Sequence, residues 1–205
     1  MAPTPEPGRR ERRKLELRAR ILQAAVWHFE EQGFHATTVA TICERADVAT
    51  KTFFNHFETK QHLLREIARE RLGVLLADIE AICKNEETTR DRLLAFFDLA
   101  AKRTLEAGPM NREFLTELVH VVNESPEKSD HARRLHGAFG AIVEEGLANH
   151  EVTTRHAPGT LTEMILGAYY VLMFNYANLD AYPIEVHAEA VGHFLADAIA
   201  PHPEE

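Results

Sequence analysis

Between Ala46 and Leu64 the chain reads ADVATKTFFNHFETKQHLL, and groups built for hydrogen bonding alternate with large apolar ones. Thr50, Lys51, Thr52, Asn55 and His56 offer hydroxyls, an ammonium, an amide and an imidazole, the types that reach base edges and phosphate oxygens of a duplex. Phe53 and Phe57 stand four residues apart, so on a helix they share one face. A short helix with one side plugging a core and the other pressed on DNA needs both sets. A core strand would not be this polar, and a surface loop would not carry three phenylalanines.

Such a helix has to be held by others. From Arg9 to Gln32 there is no proline or glycine, and Ile21, Leu22, Ala25 and Phe29 form one apolar face. Gly33 is a stop signal, and Thr37-Thr38 offers an N-cap. Val39, Ile42, Cys43 and Ala46 then recur at the spacing of a short amphipathic helix. Asp47 sits where that helix must end, and aspartate tolerates the left-handed conformation better than most residues. Thr59 can cap a further long helix whose face holds Leu63, Leu64, Ile67, Ala68, Leu72, Leu75 and Ile79. Two short helices joined by a tight turn make a helix-turn-helix.

Charge is divided along the chain. Residues 1–72 hold 13 Lys+Arg against 10 Asp+Glu, while the remainder holds 10 against 22, for a net −9 overall. A basic head on an acidic body fits a polyanion partner for the head alone. No apolar run reaches the length of a membrane-spanning helix, and the amino terminus has no apolar stretch behind its charges. The expectation is a cytoplasmic protein with no membrane association. Cys43 and Cys83 are far apart and form no CxxC, against a disulfide framework or zinc finger. Twelve histidines require a check for metal or acid–base chemistry. There is no HExxH, no GxSxG and no glycine-rich phosphate loop. His131 and His136 are five apart, poor for one helical face, and His120, with Glu117 one turn back, reads first as a satisfied core histidine. No enzyme, metal site or cofactor is expected.

With these residues in place, ILQAAVWHFEEQGFHATTVATICERADVATKTFFNHFETKQHLL, Ile21 to Leu64, resembles the DNA-binding domain of the TetR family of transcriptional regulators. The marks are an Ala-Ala pair, Phe29, Gly33-Phe34, Thr37-Thr38, Ile42, Ala46, Val48, Thr52, His56-Phe57, Lys60 and Leu63-Leu64. Three positions depart from the family pattern: Asp47 for the turn glycine, Ala49 for the serine that often opens the recognition helix, and Phe54 for a common tyrosine. The resemblance implies DNA-contacting roles for Thr38, Thr50, Lys51, Thr52, Phe54, Asn55, His56 and Lys60. Thr38 serves a phosphate or is a plain N-cap; Lys51 reads a guanine or grips a phosphate; His56 meets backbone or packs on the first helix. Phe54 offers ring contact only, and Arg9 to Lys14 offer electrostatic attraction to the duplex.

The chain therefore reads as all-α: a leader over 1–8, a helix-turn-helix domain over 9–58, a connecting helix over 59–82 and a second helical domain over 83–205. Apolar-periodic stretches fall near 88–106, 111–123, 129–149, 160–179 and 184–200, punctuated by Gly108-Pro109, Ser125-Pro126, Pro158-Gly159 and Pro183. By resemblance, the last two helices pair with a twofold mate, which makes a homodimer and a roughly palindromic operator. The second domain is expected to hold a small hydrophobic or aromatic effector through Phe97, Met110, Phe114, Leu118, Phe139, Tyr169, Tyr170 and Met173, residues that are also core candidates. The function expected is a ligand-responsive regulator, most often a repressor in that family. The alternative is an architectural DNA-binding protein on the same fold with no effector.

Overall fold

The computed structural model describes residues 8–106 and 128–202. Eight helices and no strand occur among them: α1 Arg9–Gln32, α2 Val39–Ala46, α3 Thr50–Phe54, α4 Lys60–Asn85, α5 Thr89–Glu106, α6 Lys128–Ala148, α7 Pro158–Asn178 and α8 Ile184–Ala198. The expected helix near 111–123 lies outside the described residues. The chain divides into two compact units, with the boundary between Ile67 and Ala68, inside α4.

In the first unit, α1 buries Ile21, Leu22, Ala24, Ala25 and Phe29. Its stop is Gly33, at φ 82°, whose N–H donates to the Phe29 carbonyl. Thr37 is fully buried, and its hydroxyl donates to the Gly33 carbonyl at 2.8 Å. Thr38 is the N-cap of α2 in a reciprocal box: the Thr41 amide donates to the Thr38 hydroxyl, and the Thr38 amide to the Thr41 hydroxyl, both at 3.2 Å. At the other end Asp47 adopts φ 50°, ψ 54°. The Asp47 amide donates to Glu44 O and the Val48 amide to Cys43 O, the paired bonds of a Schellman motif. Thr59 caps α4, accepting from the His62 amide at 2.9 Å.

The second unit is bound by long-range polar ties around an aromatic core. α5 packs most extensively on α8, and α6 on α7. Phe96, Phe97, Phe139, Ile142, Val143 and Ile165 are essentially sealed from solvent. α7 starts at Pro158, two residues before the apolar pattern begins, because proline fits the first helical position, where no N–H is required. α6 ends in a second Schellman arrangement, with His150 at φ 59° and the Glu151 amide donating to Gly146 O. That turn delivers the Glu151 carboxylate to the start of α5, where it accepts from the Thr89 amide at 2.7 Å and the Thr89 hydroxyl at 2.8 Å. Arg92 is almost wholly buried and donates to Glu86 O, Cys83 O and Glu145.

Gly146 lies under this corner. A Cβ there would collide with the Thr89 hydroxyl and with a Val152 methyl, both on buried residues. Gly146→Ala is expected to destabilise the protein by about 1–3 kcal/mol, the usual cost of overpacking. Urea unfolding followed by circular dichroism checks this; an unchanged midpoint would show that the corner relaxes freely.

Candidate nucleic-acid interface

α3 is only five residues long, and most of its definition comes from what it buries. Phe53 and Phe57 have no accessible surface, and their rings lie 5.7 Å apart. Ala49 supplies no side-chain cap, so the helix opens on backbone bonds alone, from the Thr52 amide to Ala49 O at 2.7 Å. The missing hydroxyl is one reason the helix leans on its phenylalanine anchors.

With those two rings inward, Thr50, Lys51, Phe54 and Asn55 are exposed, and Thr52 and His56 are half-buried. Phe54 keeps 52% of its surface accessible and stands edge-on to Phe53. An apolar ring held this open beside a lysine and an asparagine fits a sugar or a thymine methyl. Thr38, at the head of α2, is exposed as well, though its hydroxyl and amide are both engaged in the capping box.

His56 titrates below the ordinary histidine value of 6.5, first because burial disfavours its cation and then because Lys14 and Arg18 of α1 repel it. It is neutral at pH 7 in the free protein, and an approaching phosphate would draw a proton onto it. Lys60 is placed differently from the rest. Its ammonium donates to the Phe34 and Thr37 carbonyls, each at 2.6 Å, and lies 4.2 Å from the centre of the Phe34 ring. It ties the start of α4 to the loop before α2, inside the unit.

Three residues not among the sequence candidates set the frame. Arg20 of α1 donates to Ala46 O and to Asp47 O, and reaches the Asp47 carboxylate at 3.3 Å. Arg18 pairs with Glu66 and lies 4.9 Å from the centre of the Phe57 ring. Trp27 carries the Arg45 guanidinium 3.5 Å above its ring. Nothing in local pattern flags these side chains, because each acts on a residue distant in sequence.

The effector candidates fall into separate groups. Phe97 and Phe139 are sealed in the core. Phe96 bridges Phe139, at 4.7 Å, to Tyr169, at 5.4 Å between ring centres. Met173 is buried, with its sulfur 3.5 Å from the Thr104 hydroxyl. Burial raises the Tyr169 phenol well above its usual range, so it stays a neutral donor. Tyr170 is turned outward and 41% exposed. Met110, Phe114 and Leu118 lie outside the described residues. A cleft of about 310 Å³ between α5 and α8 is lined by none of the described candidates; Leu94, Ala101, Val186 and Ala188 share its wall with Asp98, Lys102, Glu185, Glu189 and His193.

Residues 21–67 match the family described as bacterial regulatory proteins, tetR family. The fatty acid metabolism regulator protein of Bacillus subtilis (strain 168) is 29% identical over 98 residues, 48% of this chain and 50% of that protein. The chain thus spans about half the length of this relative. Two solved structures share the fold over nearly the whole chain. The transcriptional regulator FadR from Bacillus subtilis, in complex with stearoyl-CoA, has a TM-score of 0.62 at 20% identity, covering 88% of this chain and 98% of that one. The ketosteroid transcriptional regulator KstR2 of Mycobacterium tuberculosis has a TM-score of 0.61 at 18% identity, covering 90% and 95%.

The depressed His56 value sets a pH dependence with a definite sign. The unfolded chain binds this proton more readily than the folded one, so the contribution of His56 to stability is complete above pH 6.5 and is lost as pH falls below it. His56→Gln is expected to have a shallower loss of melting temperature than the parent between pH 7 and the acid limb. Identical acid limbs in the two proteins would remove His56 from this role.

Proposed function

We propose that this chain, which belongs to the tetR family of bacterial regulatory proteins, is a dimeric, ligand-responsive transcriptional regulator rather than an enzyme. It binds a roughly palindromic operator, acts as a repressor, and is released by a small hydrophobic or aromatic effector. The observation that carries the reading is the split of α3 into two buried phenylalanines and an exposed Thr50, Lys51, Phe54 and Asn55 surface. In the bound state these outward groups lie in the major groove, with Lys51 the candidate for a guanine edge.

A second copy is supported by the surface of the last two helices. Met164, Val171 and Phe174 of α7 and Val186 and Phe194 of α8 are all more than half exposed. Met164, Val171 and Phe174 recur at i, i+7 and i+10, one stripe of a helix. A set of apolar side chains this open marks an interaction face, and an isologous contact gives the twofold symmetry that a palindrome mirrors.

The Phe96, Phe139, Tyr169 and Met173 seam supports an apolar effector with few polar groups. FadR of Bacillus subtilis, solved with stearoyl-CoA, is a fold relative that accommodates a long apolar chain. α4 is continuous across the unit boundary, so a displacement of its carboxyl half reaches the first unit through one helix. An effector that favours one arrangement over the other by about 1–3 kcal/mol changes DNA affinity roughly 5- to 150-fold. A cytoplasmic location follows from the proposed task. No helix among the described residues is long and apolar enough to cross a membrane.

Two experiments test this. Lys51→Ala is expected to lower operator affinity by about 1–3 kcal/mol while leaving binding to random DNA little changed, measured by fluorescence anisotropy on both duplexes. Equal loss on the two would make Lys51 a phosphate contact only. Phe174→Glu combined with Phe194→Glu is expected to give a monomer in sedimentation and to abolish tight operator binding. A double variant that sediments and binds like the parent would overturn the dimer reading.

A further inference from the structure

A helix of five residues with no capping side chain cannot fix its own orientation, so what touches its ends sets how it meets a groove. The opening end of α3 is held by Arg20 through the Ala46 and Asp47 carbonyls. The closing end depends on Phe57, whose amide donates to the Phe53 carbonyl at 2.9 Å. Two side chains flank the Phe57 ring. The Arg18 guanidinium lies 4.9 Å from its centre, and the His62 ring meets it edge-on with 6.0 Å between centres.

Both of those groups face one carboxylate. Glu66 Oε2 accepts from Arg18, and Glu66 Oε1 lies 3.8 Å from Nε2 of His62, one turn back on α4. His62 Nδ1 accepts from the Glu58 amide at 3.3 Å, which turns the other ring nitrogen toward Glu66. Arg18 comes from α1, 48 positions away. The Glu66 side chain keeps only 16% of its surface accessible, and a carboxylate repels phosphate, so Glu66 is no DNA contact itself. Its place is behind Phe57, among the groups that hold α3.

We propose that Glu66 is a positioning residue for base recognition: its carboxylate holds Arg18 and His62 against Phe57 and thereby fixes the tilt of α3 in the groove. This rests on the DNA-binding reading above. Base-edge hydrogen bonds from the exposed Lys51 and Asn55 need donor–acceptor distances of about 2.7–3.2 Å, so a small tilt of α3 breaks them. Phosphate attraction tolerates such a tilt, because it acts over several ångströms and carries no sequence information. Loosening the link therefore costs discrimination rather than general affinity. By charge alone, removing an acid beside DNA tightens binding to every duplex; loosening α3 has the opposite sign on the operator.

The test uses the full chain, a duplex selected from a random pool by the parent protein, and a scrambled duplex of equal length. The readout is the ratio of the two affinities, which an unfolded fraction leaves unchanged because it lowers both alike. Glu66→Gln is expected to lower that ratio about 2- to 30-fold through weaker binding to the selected duplex. An unchanged ratio, or tighter binding to both duplexes, overturns the proposal. Glu58→Gln removes the same charge from an exposed residue next to Phe57 and is expected to keep the parent ratio; a matching loss there would assign the effect to charge and overturn the link. Arg18→Gln breaks the pair from the other side and carries the test alone if Glu66→Gln fails to fold. The double variant is expected to lose no more than either single one, as partners in one link do, whereas additive losses overturn it. Amide exchange at Phe57 supplies a second readout: it is expected to quicken in Glu66→Gln while the buried turns of α1 keep their protection, and equal rates at Phe57 in parent and variant count against the link. If the parent selects no duplex, the regulator reading fails and the proposal with it. If Lys51→Ala lowers the ratio while Glu66→Gln keeps it, only the proposal fails.

Discussion

The left-handed turn at Asp47 sets the angle between α2 and α3, and with it which side of α3 faces out. A non-glycine residue at φ 50° is held against its own preference. Two Schellman bonds close the turn from within, and Arg20 closes it from α1, donating to the Ala46 and Asp47 carbonyls that the end of α2 leaves unsatisfied. A glycine would adopt the turn without help; this chain uses an aspartate and a supporting arginine. Once the turn is fixed, Phe53 and Phe57 fall onto the first unit's core, and Lys51, Phe54 and Asn55 have no place but the surface.

The same device recurs in the second unit with different residues. His150 takes the left-handed position, and the turn carries Glu151 to the Thr89 amide at the start of α5. Glu151 there satisfies an orphan donor and places negative charge at the positive end of a helix. Arg92 stabilises the same corner. A guanidinium this buried is costly alone, and it is held by one carbonyl in the last turn of α4, one just beyond it, and Glu145, whose acidity rises in response. In both units, helix ends carry polar bonds to segments distant in sequence, beside face-to-face ion pairs such as Arg18–Glu66 and Arg103–Asp78.

The division of labour also bears on specificity. Ala49 removes a capping hydroxyl and Phe54 removes a phenolic one, two polar groups fewer at α3 than its resemblance would lead one to expect. Lys60, by contrast, turns its charge inward onto two carbonyls and a phenyl face, where it stabilises the loop that presents Thr38.

Helix content, the stops at Gly33 and Asp47, the caps at Thr38 and Thr59, and the inward pair Phe53 and Phe57 were all legible in the amino-acid order. They depend on periodicity and on turn chemistry confined to a few neighbouring residues. Only the folded chain shows Arg20 on Asp47, 27 positions away, or Glu151 on Thr89, 62 positions away. It also moves Tyr170 to the surface while Tyr169 stays beside Phe96, a choice that an almost uniformly apolar helix does not encode. Local patterns fix which segments become helices because those energies are summed over adjacent residues. Which polar groups meet across the fold depends on how the helices pack, and that is decided by the whole chain at once.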